Sequence, residues 1–104
     1  MKKDELEITE NTENDTAVFI LKGRLNTSSA DWFQFRLEEA LKDGHKNILL
    51  NMSQVEFLSS TGIRVILKIY KQLTEKGSKF GIERPSECVK NVLGMAALKD
   101  MLVT

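Results

Sequence analysis

The sequence predicts an α/β domain in which helices pack on a small, mainly parallel β-sheet. Short apolar runs at 17–22 and 47–52 are typical of strands, whereas apolar side chains at 63–73 recur with the period of a helix. Strand-like and helix-like segments alternate, which favours parallel strands joined by right-handed crossovers. With 104 residues, 41% of them hydrophobic, the chain is expected to form a single domain, 1–104, with one core.

Four segments are predicted as strands. Residues 6–10 alternate in polarity, and turn-forming residues at 11–15 lead to the apolar run at 17–22, so the two segments form a hairpin. The segment 47–52 is almost wholly apolar, as expected for a central strand that is covered on both faces. Residues 79–83 form a further short strand.

The first helix follows a connection at 23–27. Thr27 or Ser28 can cap it, and it is expected to end near Asp43 with Gly44 as its stop. One face of this helix should meet the sheet through Ala30, Phe33, Leu37, Ala40 and Leu41.

Two further helices are predicted after the central strand. The second ends near Gly77; the third begins at Ser86, after a break at 84–85, and is interrupted at Gly94. Cys88 lies in this third helix and is expected to pack as a small hydrophobic residue. Beyond it, the apolar residues expected to close on the core are Leu98, Met101 and Leu102.

The second helix is predicted to have one apolar side and one narrow polar stripe. Its apolar side consists of Ile63, Ile66, Leu67, Tyr70 and Leu73, widened by Val65 and Ile69; its polar stripe consists of Arg64, Lys68, Lys71 and Glu75. Ser60, four residues before Arg64, lies on the stripe and should face solvent.

Three hydroxyl residues, Ser59, Ser60 and Thr61, precede this helix. One of them can cap its N-terminus, but one cap needs only one hydroxyl. Gly62 either allows a close approach to the backbone or is an ordinary loop glycine. The residues alone leave both a capping role and a functional site open.

Two segments carry a resemblance to a known family. FLSSTGIRVIL, preceded by NILLNMSQV, and GRLNTSSADWF together are similar to the STAS domain as found in bacterial anti-sigma factor antagonists. That family usually has Asp-Ser-Ser/Thr-Gly before an apolar helix, and the serine after the aspartate is phosphorylated. Ser60 matches that serine, and Thr61 and Gly62 follow it. The resemblance therefore implies the STAS fold, with Ser60 as the phosphorylation site and Ser59 and Thr61 as the alternative acceptors.

The chain departs from the family pattern at three acidic positions. Ser59 stands where aspartate usually precedes the phosphorylated serine, and Asn26 stands where Gly-x-Leu-Asp has its acid. Asn51 lies where aspartate often ends a core strand.

The resemblance implies an anti-sigma factor antagonist that acts by partner switching. The unphosphorylated form binds an anti-sigma factor, often a serine kinase, and releases a sigma factor; phosphorylation blocks binding, and a serine phosphatase would reverse it. The two segments follow strands directly and can share one surface. The residues expected to bind the partner are Asn26, Thr27, Ser59, Ser60, Thr61, Gly62 and Arg64. The neutral residues also leave open a non-switching STAS subunit of a lipid-transport or signalling assembly.

Composition restricts the partners and the chemistry. Fifteen basic and fifteen acidic residues cancel, so no nucleic acid or anionic membrane is expected as a partner. No apolar run approaches the ~20 residues of a membrane span, and the N-terminus lacks the features of a signal peptide, so a cytoplasmic protein is expected. His45 is the single histidine, and no base adjoins the three hydroxyls. We expect no enzyme activity, no cofactor and no metal.

Trp32 and Phe35 project from a different side of the first helix than its sheet-facing residues. They form either a second buried contact or an aromatic patch for a partner or a second copy, because aromatic side chains anchor interfaces. A weak homodimer is one form that such an interface would take.

Overall fold

The computed structural model describes residues 2–3 and 5–95. Over these residues the chain forms one five-stranded sheet and three helices. The strands are β1 (Lys2–Lys3), β2 (Leu6–Glu13), β3 (Thr16–Leu25), β4 (Asn47–Leu58) and β5 (Phe80–Glu83). The helices are α1 (Thr27–Lys42), α2 (Ser60–Glu75) and α3 (Glu87–Met95).

The sheet has the strand order β1-β2-β3-β4-β5 among the described residues. β2 pairs antiparallel with β1 and with β3. β4 pairs parallel with β3 and with β5. The predicted α/β architecture and the N-terminal hairpin are confirmed. The hairpin turn is tighter than expected, because Glu13 pairs with Thr16 and only Asn14 and Asp15 lie between them. Asn14 takes a positive φ of 55°, which asparagine tolerates better than most residues.

β3 and β4 extend further than the sequence predicts. The segment 23–25, expected as a connection, and the segment 53–58, which follows the predicted central strand, belong to these strands, and pairing continues until Leu25 lies opposite Leu58. The register shifts between Ile20 and Lys22 and again between Gly23 and Arg24, and the pairing continues beyond both shifts. Such irregularities bend a strand without ending it, and apolar periodicity does not reveal them.

The core lies mainly against one face of the central strands. Ile48 and Leu50 of β4 are fully buried, whereas Leu49 between them is half-buried. The strand was predicted to be covered on both faces, but the face that carries Leu49 is only partly covered. The buried cluster combines β2, β3, β4 and β5 with residues from all three helices.

The helices follow the predicted pattern, with two differences. α3 begins one residue after Ser86 and continues through Gly94 to Met95, so the predicted interruption is wrong. In α2 the most buried residues include Val65, Ile66 and Ile69, and Ile63 is only partly buried. Cys88 is half-buried in α3. The predicted closing contacts of Leu98, Met101 and Leu102 lie outside the described residues.

Candidate functional site

Two helices begin side by side at the carboxyl ends of two parallel strands. α1 follows Leu25 at the end of β3, and α2 follows Leu58 at the end of β4. The backbone N–H of Ser59 donates a hydrogen bond of 2.9 Å to the carbonyl oxygen of Leu25, which fixes the two strand ends together. The two segments that were singled out in the sequence thus meet at one edge of the sheet.

Asn26 is the N-cap of α1. Its Oδ1 accepts hydrogen bonds from the backbone N–H groups of Ser28, at 3.1 Å, and Ser29, at 3.2 Å. The hydroxyl of Ser29 in turn accepts from the Asn26 N–H at 3.0 Å, which completes a capping box. The predicted cap at Thr27 or Ser28 is therefore wrong, and Asn26 has a structural role in this chain.

Glu5 brings a carboxylate to the start of α1. Asn26 Nδ2 donates to Glu5 Oε2 at 2.8 Å, and the Ser28 hydroxyl donates to the same oxygen. These hydrogen bonds, first that from Ser28 and then that from Asn26, lower the pKa of Glu5. Arg24, with Nε 3.9 Å from Glu5 Oε1, acts in the same direction.

Gly23 allows the Glu5 backbone to lie against β3. Its φ is +116°, and a Cβ atom at this position would overlap the carbonyl oxygen of Glu5. That oxygen accepts a 2.7 Å hydrogen bond from the Arg24 N–H. Sequence reasoning missed Glu5, because the residues that it contacts lie 21 and 23 positions away and no local pattern indicates the pairing.

The three hydroxyls at the start of α2 have different roles. Ser59 is the N-cap, and its Oγ accepts a 3.2 Å hydrogen bond from the Gly62 N–H. Thr61 Oγ1 lies 3.2 Å from Thr27 Oγ1, so the two hydroxyls form a hydrogen bond between the helices. Ser60 is exposed, and no hydrogen bond within residues 5–95 engages its hydroxyl.

The polar stripe of α2 faces solvent as predicted. Arg64 and Lys68 are exposed and line, with Thr61, a shallow groove of about 260 Å³ between α1 and α2. Lys68 Nζ lies 3.9 Å from the carboxylate of Glu38 on α1. Asp31 of α1 lies in the same groove.

Most of the residues predicted to bind a partner lie together at this edge. They are Asn26, Thr27, Ser59, Ser60, Thr61 and Arg64. Gly62 differs, because it is buried, and a Cβ there would lie 2.8 Å from Leu25 Cγ and 3.1 Å from Leu58 Cδ1. The close approach at Gly62 is made by the protein's own side chains, and its contact with a partner stays a prediction.

Trp32 and Phe35 of α1 have different environments. Phe35 is 54% exposed, whereas Trp32 is half-buried and packs against the core cluster. Their rings stack with centroids 6.2 Å apart. Within the described residues, Trp32 Nε1 is buried and has no hydrogen-bond partner. Phe35 is therefore available to a partner, whereas Trp32 contributes to packing against the core.

A family comparison agrees with this arrangement. The sequence profile of the STAS domain matches residues 5–104. The chain belongs to the STAS domain family. The matched residues include Glu5, both helix starts and the strands β2 to β5.

Relatives of this STAS domain include named anti-sigma factor antagonists. A candidate antagonist of Thermotoga maritima is 30% identical over 86 residues, which cover 82% of this chain and 76% of the relative. The anti-sigma F factor antagonist of Paenibacillus polymyxa is 28% identical over 79 residues, covering 75% of this chain and 68% of the relative.

Solved structures of antagonists share the fold of this STAS domain. Unphosphorylated SpoIIAA superposes with a TM-score of 0.82 at 19% identity, covering 93% of this chain and 86% of SpoIIAA. SpoIIAA of Bacillus in its phosphorylated form superposes with a TM-score of 0.76 at 17% identity, covering 93% of this chain and 89% of SpoIIAA.

Two features are absent from the part of the chain that the structure describes. No helix in ranges 2–3 and 5–95 combines the length and apolarity needed to cross a membrane. In the same part of the chain, no group of three or more His, Cys, Asp or Glu side chains could hold a metal ion.

Proposed function

We propose that this STAS domain is an anti-sigma factor antagonist that acts by partner switching. Unphosphorylated, it binds an anti-sigma factor that is also a serine kinase, and a sigma factor is released. Phosphorylation of Ser60 blocks that binding, and a serine phosphatase restores it. The observation that carries the proposal is the exposed hydroxyl of Ser60 at the start of α2, which no hydrogen bond engages among residues 5–95.

The neighbouring hydroxyls support Ser60 as the acceptor. Ser59 Oγ is engaged by the Gly62 N–H, and Thr61 Oγ1 is engaged by Thr27. A kinase would have to break a cap or an interhelical contact to use either of them, whereas Ser60 requires no such change. Transfer of the γ-phosphoryl group of ATP to Ser60 Oγ releases ADP and the hydroxyl proton.

The phosphate acts on the surface and leaves the fold intact. It adds about −1.5 to −2 charges at the N-terminus of α2, where the helix dipole favours an anion. A partner that presents carboxylates or apolar groups to this edge would then be repelled or left with an unfavourable contact. The switch therefore needs no internal rearrangement.

Affinity capture identifies the partner, and reconstitution tests the switch. The bait is the full chain, once with serine and once with phosphoserine at position 60. An anti-sigma factor kinase is expected on the first bait and depleted on the second. That purified kinase is then incubated with ATP and the wild-type chain, and the phosphopeptide is mapped.

Variants locate the phosphate. Ser60→Ala should abolish labelling by the kinase, whereas Ser78→Ala, which removes a hydroxyl after α2, should be labelled normally. Phosphate found only outside residues 59–61 would falsify the proposed switch.

A second candidate role is a non-switching STAS subunit of a lipid-transport or signalling assembly. It is favoured by Asn26 and Ser59, which occupy positions where the family usually has acids and which both serve as helix caps here. Transporter subunits on both baits, with no kinase and no effect of the phosphate, would support this role over the first.

A further inference from the structure

Ser60 and Arg64 lie one helical turn apart on the exposed side of α2. Residues four apart in a helix have Cβ atoms about 6 Å from each other. Helical side chains lean toward the N-terminus of the helix, so a residue covers the turn before its own Cα. An arginine at position 64 therefore reaches over the turn that begins with Ser60.

Among residues 5–95, Arg64 takes part in no ion pair, although Asp31 lines the same groove. Lys68, the next cation of the stripe, is already paired with Glu38. The side chain beside Ser60 is thus a cation without an ion-pair partner among residues 5–95.

The other cations of the stripe are too distant to take this role. At a rise of 1.5 Å per residue, Lys68 lies about 12 Å from Ser60 along the helix axis, and Lys71 about 17 Å. These separations exceed the Debye length of about 8 Å at physiological ionic strength. Dissolved salt therefore screens the attraction between either lysine and a phosphate at Ser60.

We propose that Arg64 binds the phosphate group once Ser60 is phosphorylated and thereby withdraws its positive charge from the partner-facing surface. This inference rests on the proposed phosphorylation of Ser60. The planar guanidinium of arginine matches two phosphate oxygens with parallel N–H groups. An anion that lies four residues N-terminal to a cation is also the favourable order on a helix.

If the pair forms, phosphorylation changes two groups on the surface, the hydroxyl of Ser60 and the guanidinium of Arg64. Before modification, the surface at 60–64 presents a neutral hydroxyl and a free cation. Afterwards it presents a phosphate–arginine pair with a combined charge between about −0.5 and −1. A partner that used Arg64 to bind a carboxylate loses that contact as well as meeting a new anion.

Phosphorus-31 NMR of the full chain tests the pairing without any partner. Phosphoserine is incorporated at position 60 during translation, and the phosphate signal is titrated from pH 4 to 9. An adjacent cation favours the dianion, so Arg64 should lower the second pKa of the phosphate from its usual value near 6. We expect the pKa in Arg64→Gln to be about 0.3–0.7 units higher than in the wild type.

Two variants separate direct pairing from general electrostatics. Lys71→Gln removes one positive charge from the same helix face and should leave the phosphate pKa within about 0.1 units. Arg64→Lys keeps the charge without the planar fork and should give an intermediate pKa. In the wild type, the Arg64 Nε–H proton resonance should shift downfield on phosphorylation.

An unchanged phosphate pKa in Arg64→Gln, or equal shifts in Arg64→Gln and Lys71→Gln, overturns the pairing. Circular dichroism verifies that each variant remains folded. The proposed function is judged separately, because phosphoserine is placed by translation here. Failure of the kinase to label Ser60 would remove the switch without affecting this measurement, and an unchanged pKa would leave the switch standing without Arg64.

Discussion

The hydroxyl oxygens of Thr27 and Thr61 lie 3.2 Å apart, although 34 positions separate the two residues in the chain. Thr27 is the first residue of α1, and Thr61 lies in the first turn of α2. Their hydrogen bond joins the two helix starts beside the link from the Ser59 N–H to the Leu25 carbonyl. The candidate partner surface is therefore a single surface built from two segments.

The Thr27–Thr61 contact should appear as an energetic coupling. In a double-mutant cycle of Thr27→Val and Thr61→Val, urea unfolding should give a coupling of about 0.5 kcal/mol, since the hydrogen bond is exposed. A cycle of Thr27→Val with Thr74→Val, at an exposed position near the other end of α2, should give none. Strictly additive effects for Thr27 and Thr61 would contradict the hydrogen bond.

Ser59 and Ser60 should differ in their effect on stability. Ser59→Ala removes the α2 cap and should reduce the free energy of unfolding by about 0.5–2 kcal/mol. Ser60→Ala removes an exposed hydroxyl that has no hydrogen bond within the described residues, and it should change this free energy by less than about 0.5 kcal/mol. Chemical denaturation measures both values. The reverse order would mean that Ser60 is the cap in solution.

Gly62→Ala should destabilise the protein despite the better helix propensity of alanine. Propensity alone would stabilise α2 by about 1 kcal/mol. The new Cβ would lie 2.8 Å from Leu25 Cγ and 3.1 Å from Leu58 Cδ1, and overpacking of this kind typically costs about 1–3 kcal/mol. We expect a net loss on thermal and urea unfolding. A more stable variant would show that Leu25 and Leu58 can repack.

Glu5 should make stability depend on pH in the acid range. Its pKa is lowered in the folded state, so its contribution is present above the ordinary value of 4.5 and is lost as pH falls through the folded-state pKa. Urea unfolding of the wild type and Glu5→Gln should therefore differ at pH 7, and the difference should shrink as the pH falls below 4.5.

Ser28→Ala provides the matched test of that pH effect. It removes the hydrogen bond that lowers the pKa of Glu5 most, so the difference between the pH 7 and pH 3 stabilities should shrink. A pH profile of Ser28→Ala identical to that of the wild type would count against the Glu5 contact.

Substitutions at Phe35 and Trp32 should distinguish a role in self-association from a role in packing. Phe35→Ala should leave the unfolding free energy within about 0.5 kcal/mol but weaken any self-association detected by sedimentation. Trp32→Ala should cost about 1–3 kcal/mol, below the loss for a fully buried aromatic, since Trp32 is half-buried. Trp32→Phe should cost less, because it removes a buried N–H that lacks a partner among the described residues. Strong quenching of Trp32 fluorescence by acrylamide would argue against its packed position.

The sequence by itself determined the order of the helices and strands, and it determined which side of α2 faces solvent. Apolar residues at helical spacing placed Ser60 and Arg64 on the exposed stripe, and the structure keeps both there. The α/β class followed from the same patterns, because a helix repeats about every 3.6 residues and a strand every two. Because each periodicity lies within a single segment, it can be recognised from that segment's sequence alone.

Only the tertiary structure decided which polar groups meet. The choice of Asn26 as the α1 cap, its bond to Glu5, and the burial of Gly62 against Leu25 depend on contacts between segments that lie far apart in sequence. Several residues at each helix start are chemically able to cap, so local sequence leaves them nearly equivalent. The paired ends of β3 and β4 remove that equivalence, because they fix which side chains can reach the first turns of α1 and α2.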